Sequence, residues 1–271
     1  MDMNEHFRLG KESSMLIWYP KVKDILNTPR TELLPLTDKE IQSIHRGVNM
    51  DDTTKPKKMP DALLKKIKKH AGVIGYPLFL RSDQGSGKHN WEDTCYVEKE
   101  EDLIGHVLNL HAWHLEAGIM GLEYNALVFR EFIPLRSCFK AFNGMPVARE
   151  RRYFVRDGEV VCHHPYWVED AIHSYTDPLP ADWKRVLAGL NAESEHEFKI
   201  LAPLAITFSN AVPGYWSVDF AQGMDGKWWL IDAARGEVSW HPDDCPQNPH
   251  PKEPKKKVDL SAYLVEIDKE E

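Results

Sequence analysis

Residues 215–236 read YWSVDFAQGMDGKWWLIDAARG, two apolar, β-prone runs joined by a polar turn. Asp225-Gly226 is a strong hairpin signal, because glycine enters the left-handed region that tight turns require. The first run carries Asp219 near its end and the second carries Asp232, so antiparallel pairing across the turn brings two carboxylates to one end of the hairpin. Both are flanked by apolar residues, and a buried carboxylate must be ion-paired, hydrogen-bonded or metal-bound. Hard oxygen donors of this kind suit magnesium. The hairpin alone leaves two readings open: a divalent-metal site, or a pair of turn-capping or salt-bridged aspartates.

Working toward the N-terminus, residues 181–201 read as helical, and before them runs of alternating residues (125–133, 137–148, 151–164) read as an antiparallel meander with turns at Asn143-Gly144 and Asp157-Gly158. In ERRYFV (150–155), strand alternation puts Glu150 and Arg152 on one face and Arg151 on the other. An arginine facing a cleft suits a phosphoryl group or carboxylate; exposed sheet charges pairing across strands explain it equally. Further upstream, an apolar strand runs into Arg81-Ser82-Asp83-Gln84-Gly85-Ser86-Gly87-Lys88. Small residues and two cations let such a loop cradle phosphates, although a surface turn has the same composition. The GxxxxGK[ST] spacing of a Walker loop is absent.

Between these segments, Leu103, Val107, Leu110 and Trp113 recur at helical spacing over about 100–118, with His111, Trp113 and His114 read as packing and surface residues. A second amphipathic helix starts at Asp61, with Leu63, Leu64 and Ile67 on one side. Residues 15–36 read as a short apolar strand and a proline-stopped loop, with Thr31 as a helix cap. Residues 50–60 read as a linker or surface loop, and the proline- and lysine-rich stretch after 245 as a loose tail.

With 271 residues and 42% hydrophobic content, the chain can build a sizeable core. A formal charge of -8 argues against broad affinity for nucleic acid, leaving local lysine patches at 55, 57, 58, 65, 66, 68 and 69 and at 255–257. Cys95, Cys138, Cys162 and Cys245 lack the paired spacing of a zinc or redox site. The start has no signal-peptide pattern and no run has bilayer-spanning length, so a soluble, cytoplasmic protein with no membrane partner is expected.

Taken in order, FLRSDQGSGK, VFREFI, ERRYFVRDGEVV, SVDF and WWLID resemble the ATP-grasp superfamily, above all its RimK-like clade, including phage-type proteins and the cell-division-cycle translation-factor assembly family. The resemblance covers about residues 74–240 and implies an α+β ATP-grasp fold, two α+β subdomains whose antiparallel sheets clasp a nucleotide. It implies residues 1–60 as a preceding segment and linker, 61–130 as the small subdomain, 131–247 as the large subdomain and 248–271 as a tail. Carried over by position, Arg81, Ser82, Ser86, Gly87 and Lys88 would meet phosphates, and Glu131, Phe132 and Ile133 the adenine. Arg152 and Lys88 would act on the transferred phosphoryl group, and Asp219 and Asp232 would hold Mg2+. The chain departs from the pattern at Arg81, where lysine is usual, and at Ala234, where asparagine is usual; Glu237 is the nearest substitute ligand.

The resemblance implies an ATP- and Mg2+-dependent ligase that joins a carboxylate to an amine through an acyl phosphate, on a peptide, protein or amino acid. Two alternatives accompany it: an ATP-binding assembly factor that clasps a protein partner without turnover, and a nucleic-acid repair or modification protein suggested by the lysine patch. Nucleic acid is the least expected of the partners.

Overall fold

A computed structural model of the chain describes residues 3–48, 59–117, 123–172 and 178–248. The expected loop at 50–60 falls almost wholly outside the described residues, as do Lys55, Lys57, Lys58, Lys255–Lys257 and nearly all of the expected tail. Residues 1–239 cluster as one unit; of the second, beginning at Trp240, the described residues are a run of turns.

Among the described residues, strands β1 (Thr31–Pro35), β2 (Leu78–Ser82), β3 (Tyr96–Val97) and β4 (Ala126–Glu131) form a four-stranded sheet in the order β1-β4-β2-β3. All its pairings are antiparallel. Three helices cover it: α3 (Asp38–Gly47), α4 (Asp61–Ile74) and α5 (Leu103–Ala117). The apolar stripes read from sequence are the ones buried, with Leu63, Ile67, Leu103, Val107 and Leu110 in the core beneath the sheet. Helix α3 opens with a full capping box, Thr37 and Glu40 each satisfying the other's backbone N–H.

The second sheet is built from β7 (Glu150–Arg156), β8 (Glu159–Pro165), β9 (Tyr215–Gln222) and β10 (Trp228–Arg235), in the order β10-β9-β7-β8 and again antiparallel. One face packs on α7 (Glu195–Ala211) and α2 (Met15–Val22), where Tyr153, Val155, Val218 and Phe220 meet Leu201, Phe208 and Trp18. Burying each such side chain contributes roughly 1.5–3 kcal/mol. The expected meander divides: β5 (Ser137–Ala141) and β6 (Met145–Ala148) pair only with each other, and β7 turns away to join β9. That hairpin packs on α6 (Trp183–Asn191) through Phe139, Val147 and Leu187.

Two expectations near the start are corrected. Met15–Val22 is a helix, not a strand: Ser14 caps it, and Met15, Trp18, Tyr19 and Val22 are buried at helical spacing despite Pro20. Thr31 does not cap a helix but opens β1, whose five residues pair with Arg130 through Ala126 of β4. The segment after α2 also covers the free edge of β10, because Leu230 N–H donates to the Asn27 carbonyl at 2.9 Å and Asn27 Nδ2 donates to the Trp228 carbonyl at 2.9 Å.

Candidate functional site

The two sheets face each other across a cavity of about 330 Å3, within the size range of small-ligand pockets. On the face of the second sheet turned toward it runs a cross-strand row, of which the two aspartates form the floor. Arg152 of β7 lies opposite Asp219 of β9, and Asp219 lies opposite Asp232 of β10. Directly opposed residues share a face, so all three stand on the side away from α7.

Asp232 reaches that face by an irregular route. The loop of the last hairpin is three residues long, Met224 to Gly226, closed by Gly223 N–H donating to the Lys227 carbonyl at 2.8 Å. That loop sets Trp228 opposite Gln222 and Leu230 opposite Phe220. Continued regularly, the register would put Ile231 beside Asp219 and bury the Asp232 carboxylate on the helix face. A bulge between Leu230 and Asp232 inserts one residue and restores the pairing of the two aspartates.

Arg130 of β4 braces the bulge. Its buried guanidinium donates to the carbonyls of Ile231 and Leu230, the latter at 3.4 Å, and to Thr31 Oγ1 at 3.2 Å. Burial, with help from neighbouring Arg81, pushes the Arg130 pKa down to about 10. Sequence reasoning misses this role, because the arginine sits in a run of buried residues and acts on backbone that lies 100 positions away.

The aspartates are held in different ways. Arg152 grips Asp219 with two parallel bonds, Nε to Oδ1 and Nη2 to Oδ2, each 2.8 Å. Burial opposes charge on that guanidinium, but Asp219 outweighs it and holds the pKa above the ordinary arginine value. Arg81, on the first sheet, reaches Asp232 Oδ1 at 2.9 Å. The Asp219 side chain is 5% exposed and that of Asp232 is 40% exposed.

The 81–88 loop is fixed from within. Ser82 Oγ accepts from the N–H groups of Gln84 and Gly85 at 3.0 and 2.9 Å. Asp83 accepts from the backbone N–H of Asn125 and Ala126 and from the Ser14 hydroxyl, tying the loop to β4 and to the cap of α2. Trp113 lies against the glycines: a Cβ on Gly85 would come within 2.8 Å of its ring. Ser86, Gly87 and Lys88 line the cavity, and so does Trp113, which its helical spacing assigns to packing.

Glu131, Phe132 and Ile133 form part of the opposite wall. Phe132 packs edge-on against Tyr96 at 5.0 Å, and Phe79, Trp91, Met145 and Ile231 extend the apolar lining. Among the described residues, no other backbone group bonds to Phe132 or Ile133, whereas Glu131 N–H donates to the Arg30 carbonyl at 2.8 Å.

Of the residues singled out from sequence, Arg81, Ser86, Gly87, Lys88, Glu131, Phe132, Ile133, Asp219 and Asp232 line this one cavity. Two do not line it. Ser82 is fully buried and its hydroxyl is spent inside the loop, so it shapes the loop. Arg152 stands behind Asp219 and Tyr166, its fork committed to the carboxylate. Ala234 lies on the cavity face opposite Ser217 and offers no donor atom. Glu237 is paired with Arg235, at 2.8 Å, outside the cavity lining. Two adjacent carboxylates and the unpaired linker backbone fit the donor chemistry of a divalent cation and a purine respectively.

Two solved structures of Cdc123 from Schizosaccharomyces pombe, one of them C-terminally truncated, share the fold with a TM-score of 0.55 at 14% identity, over 84% of this chain and 85% of theirs. A RimK-domain ATP-grasp protein from Sphaerobacter thermophilus aligns with a TM-score of 0.40 at 14% identity, over 84% of this chain and 59% of that one. No curated protein matches the chain in sequence. No helix among the described residues is long and apolar enough to cross a membrane. The model of an ATP-grasp domain family, the third of its clade, matches residues 69–253, well over half of the chain, and the chain belongs to that ATP-grasp family.

Proposed function

We propose that the cleft binds ATP with a divalent metal ion and that the chain is an ATP-grasp ligase joining a carboxylate to an amine. The observation that carries this reading is the pair Asp219 and Asp232 at the floor of a cavity whose opposite wall is largely apolar, with Arg152 gripping Asp219 from behind and Arg81 meeting Asp232 from the other sheet. A nucleotide needs both halves. Phe132 and Ile133 would enclose the adenine and bond to it through their backbone, while Ser86, Gly87, Lys88 and Arg81 would take the phosphates.

Asp219 and Asp232 would hold Mg2+, which would supply positive charge to offset that of the phosphates. The chain's own contribution is positional. Arg152 orients Asp219, the Arg81 fork would exchange the Asp232 carboxylate for phosphate, and the Arg81 guanidinium and half-buried Lys88 ammonium would offset charge that develops on a transferring phosphoryl group. No protein nucleophile is needed, because the substrate carboxylate would attack the γ-phosphorus, releasing ADP and forming an acyl phosphate, and an amine would then attack the acyl carbon and displace inorganic phosphate.

The test is titration with ATP and magnesium, followed by ADP and phosphate release with candidate carboxylates and amines. Asp219→Ala and Asp232→Ala are each expected to remove the magnesium-dependent part of binding; turnover that survives both would overturn the assignment. A second reading rests on Ala234 and on the tying of Glu237 to Arg235, which leave two carboxylates on the floor of the row. Under it, the chain binds ATP and a protein partner without turnover, and magnesium-dependent binding with no ADP produced would favour it.

A further inference from the structure

One corner of the cleft is built to hold a cation. Glu150, at the start of β7, is 5% exposed and stands on the cavity face with Arg152. Its Oε1 accepts from the Trp167 indole N–H at 3.1 Å. Its Oε2 is buried with no hydrogen-bond partner among the described residues. The nearest cation, Lys88 Nζ, stands 3.8 Å from it, beyond hydrogen-bonding distance. The same ammonium lies over two aromatic faces, 4.0 Å from the Tyr166 ring centre and 4.5 Å from that of Trp167. Two ring faces and a desolvated carboxylate are what recognition of an ammonium group requires, and the Tyr166 backbone N–H fixes the corner by donating to the Glu150 carbonyl at 3.2 Å.

We propose that Glu150, Tyr166 and Trp167 form a binding site for the ammonium group of an alkylamine substrate, and that Lys88 of the chain itself fills this site in the present conformation. The proposal rests on the nucleotide reading in one respect. Lys88 belongs to the loop assigned to phosphates, and a triphosphate there would draw it out of the cage. Glu150 would then be a buried carboxylate without its lysine, and the incoming alkylammonium would restore the pair, passing a proton to that carboxylate when its nitrogen becomes the nucleophile. Lysine and amine would thus occupy the corner in turn, which orders nucleotide before amine.

The probe is n-butylammonium, with uncharged n-butanol as its control, titrated calorimetrically into the full chain. Lys88→Ala empties the cage and is expected to bind n-butylammonium about tenfold more tightly than the wild type, with no matching gain for n-butanol. Adding Glu150→Gln, or separately Tyr166→Leu, which removes a ring and no charge, should cancel that gain. Wild type should show the same gain only with a nonhydrolysable ATP analogue and magnesium present. Equal affinity in Lys88→Ala and wild type, or a gain that survives both second substitutions, overturns the proposal. Binding of the ATP analogue is measured in the same series. Analogue binding with no gain in the Lys88→Ala chain defeats the cage and leaves the nucleotide reading standing. A gain in Lys88→Ala with no analogue binding by the wild type does the reverse.

Discussion

Asp219 and Asp232 stand side by side on neighbouring strands, yet they arrive there by different physics. On β9 the ladder is regular: Val218 and Phe220 point into the helix-covered core and Asp219 between them points into the cleft. On β10 the ladder is broken. Leu230 belongs to the same core, and Asp232, two residues on, escapes it only through the bulge that Arg130 braces from the other sheet. Their ion pairs differ likewise, since Asp219 is held within its own sheet by a two-pronged arginine and Asp232 across the cleft by a single contact. Asp219 is therefore a fixture of the sheet, whereas Asp232 is a side chain whose place depends on the two sheets meeting.

Arg152→Met should break the fixed member of the pair and have the largest effect. It leaves the Asp219 carboxylate, 5% exposed, without its cation, and removing one partner of a buried pair costs about 3–5 kcal/mol. Urea denaturation at neutral pH reads the loss directly. A change of less than about 1 kcal/mol, the range of an exposed pair, would mean that Asp219 is better solvated than its burial implies.

Arg130→Met attacks the braced member. It strips donors from the Ile231 and Leu230 carbonyls and from Thr31, an expected loss of about 2 kcal/mol for charge-assisted bonds to backbone. A specific signature should accompany that loss. Magnesium-dependent ATP binding should weaken more than metal-free nucleotide binding, because Asp232 loses its register while the linker wall stays intact. Parallel weakening of both would reduce Arg130 to a general tie between sheets.

The same contrast separates what the sequence discloses from what it hides. Alternation in ERRYFV places Glu150 and Arg152 on one face, and the ordered segments imply the ATP-grasp fold that the family match bears out; that Asp219 shares that face is set by the register of β7 on β9. The bulge is invisible in the sequence. Asp225-Gly226 announces a turn but not its length, and the three-residue loop and the inserted Ile231 offset one another, so the expected pairing of the aspartates emerges from a different register. Helix α2 hides for another reason: MLIWYP is short, apolar and interrupted by Pro20, and only the spacing of Met15, Trp18, Tyr19 and Val22 behind Ser14 distinguishes a helix from a strand. Trp113 and Tyr166 escape notice because an aromatic residue at core spacing gives no sign that its other side faces a cavity.

Arg81→Met should have the smallest effect on stability and is the sharpest test of the contrast. The substitution removes the 2.9 Å contact to Asp232 and the 3.0 Å bond from Arg81 Nε to the Ser82 carbonyl, but the Asp232 side chain is 40% exposed and can hydrate where Asp219 cannot. It also removes a like charge from beside Arg130, whose pKa is held down first by burial and then by Arg81, so the remaining guanidinium recovers part of what the lost pair forfeits. The apolar replacement fills much of the vacated volume, and the net change should fall within about 1 kcal/mol in either direction. Binding should respond quite differently, because in the proposed complex Arg81 leaves Asp232 for phosphate, and the methionine variant should lose ATP affinity about tenfold or more while its urea midpoint barely moves. A stability loss as large as that of Arg152→Met would show that the cross-cleft pair is as much a part of the fold as the pair within the sheet, and the division between a fixed and a movable aspartate would fall with it.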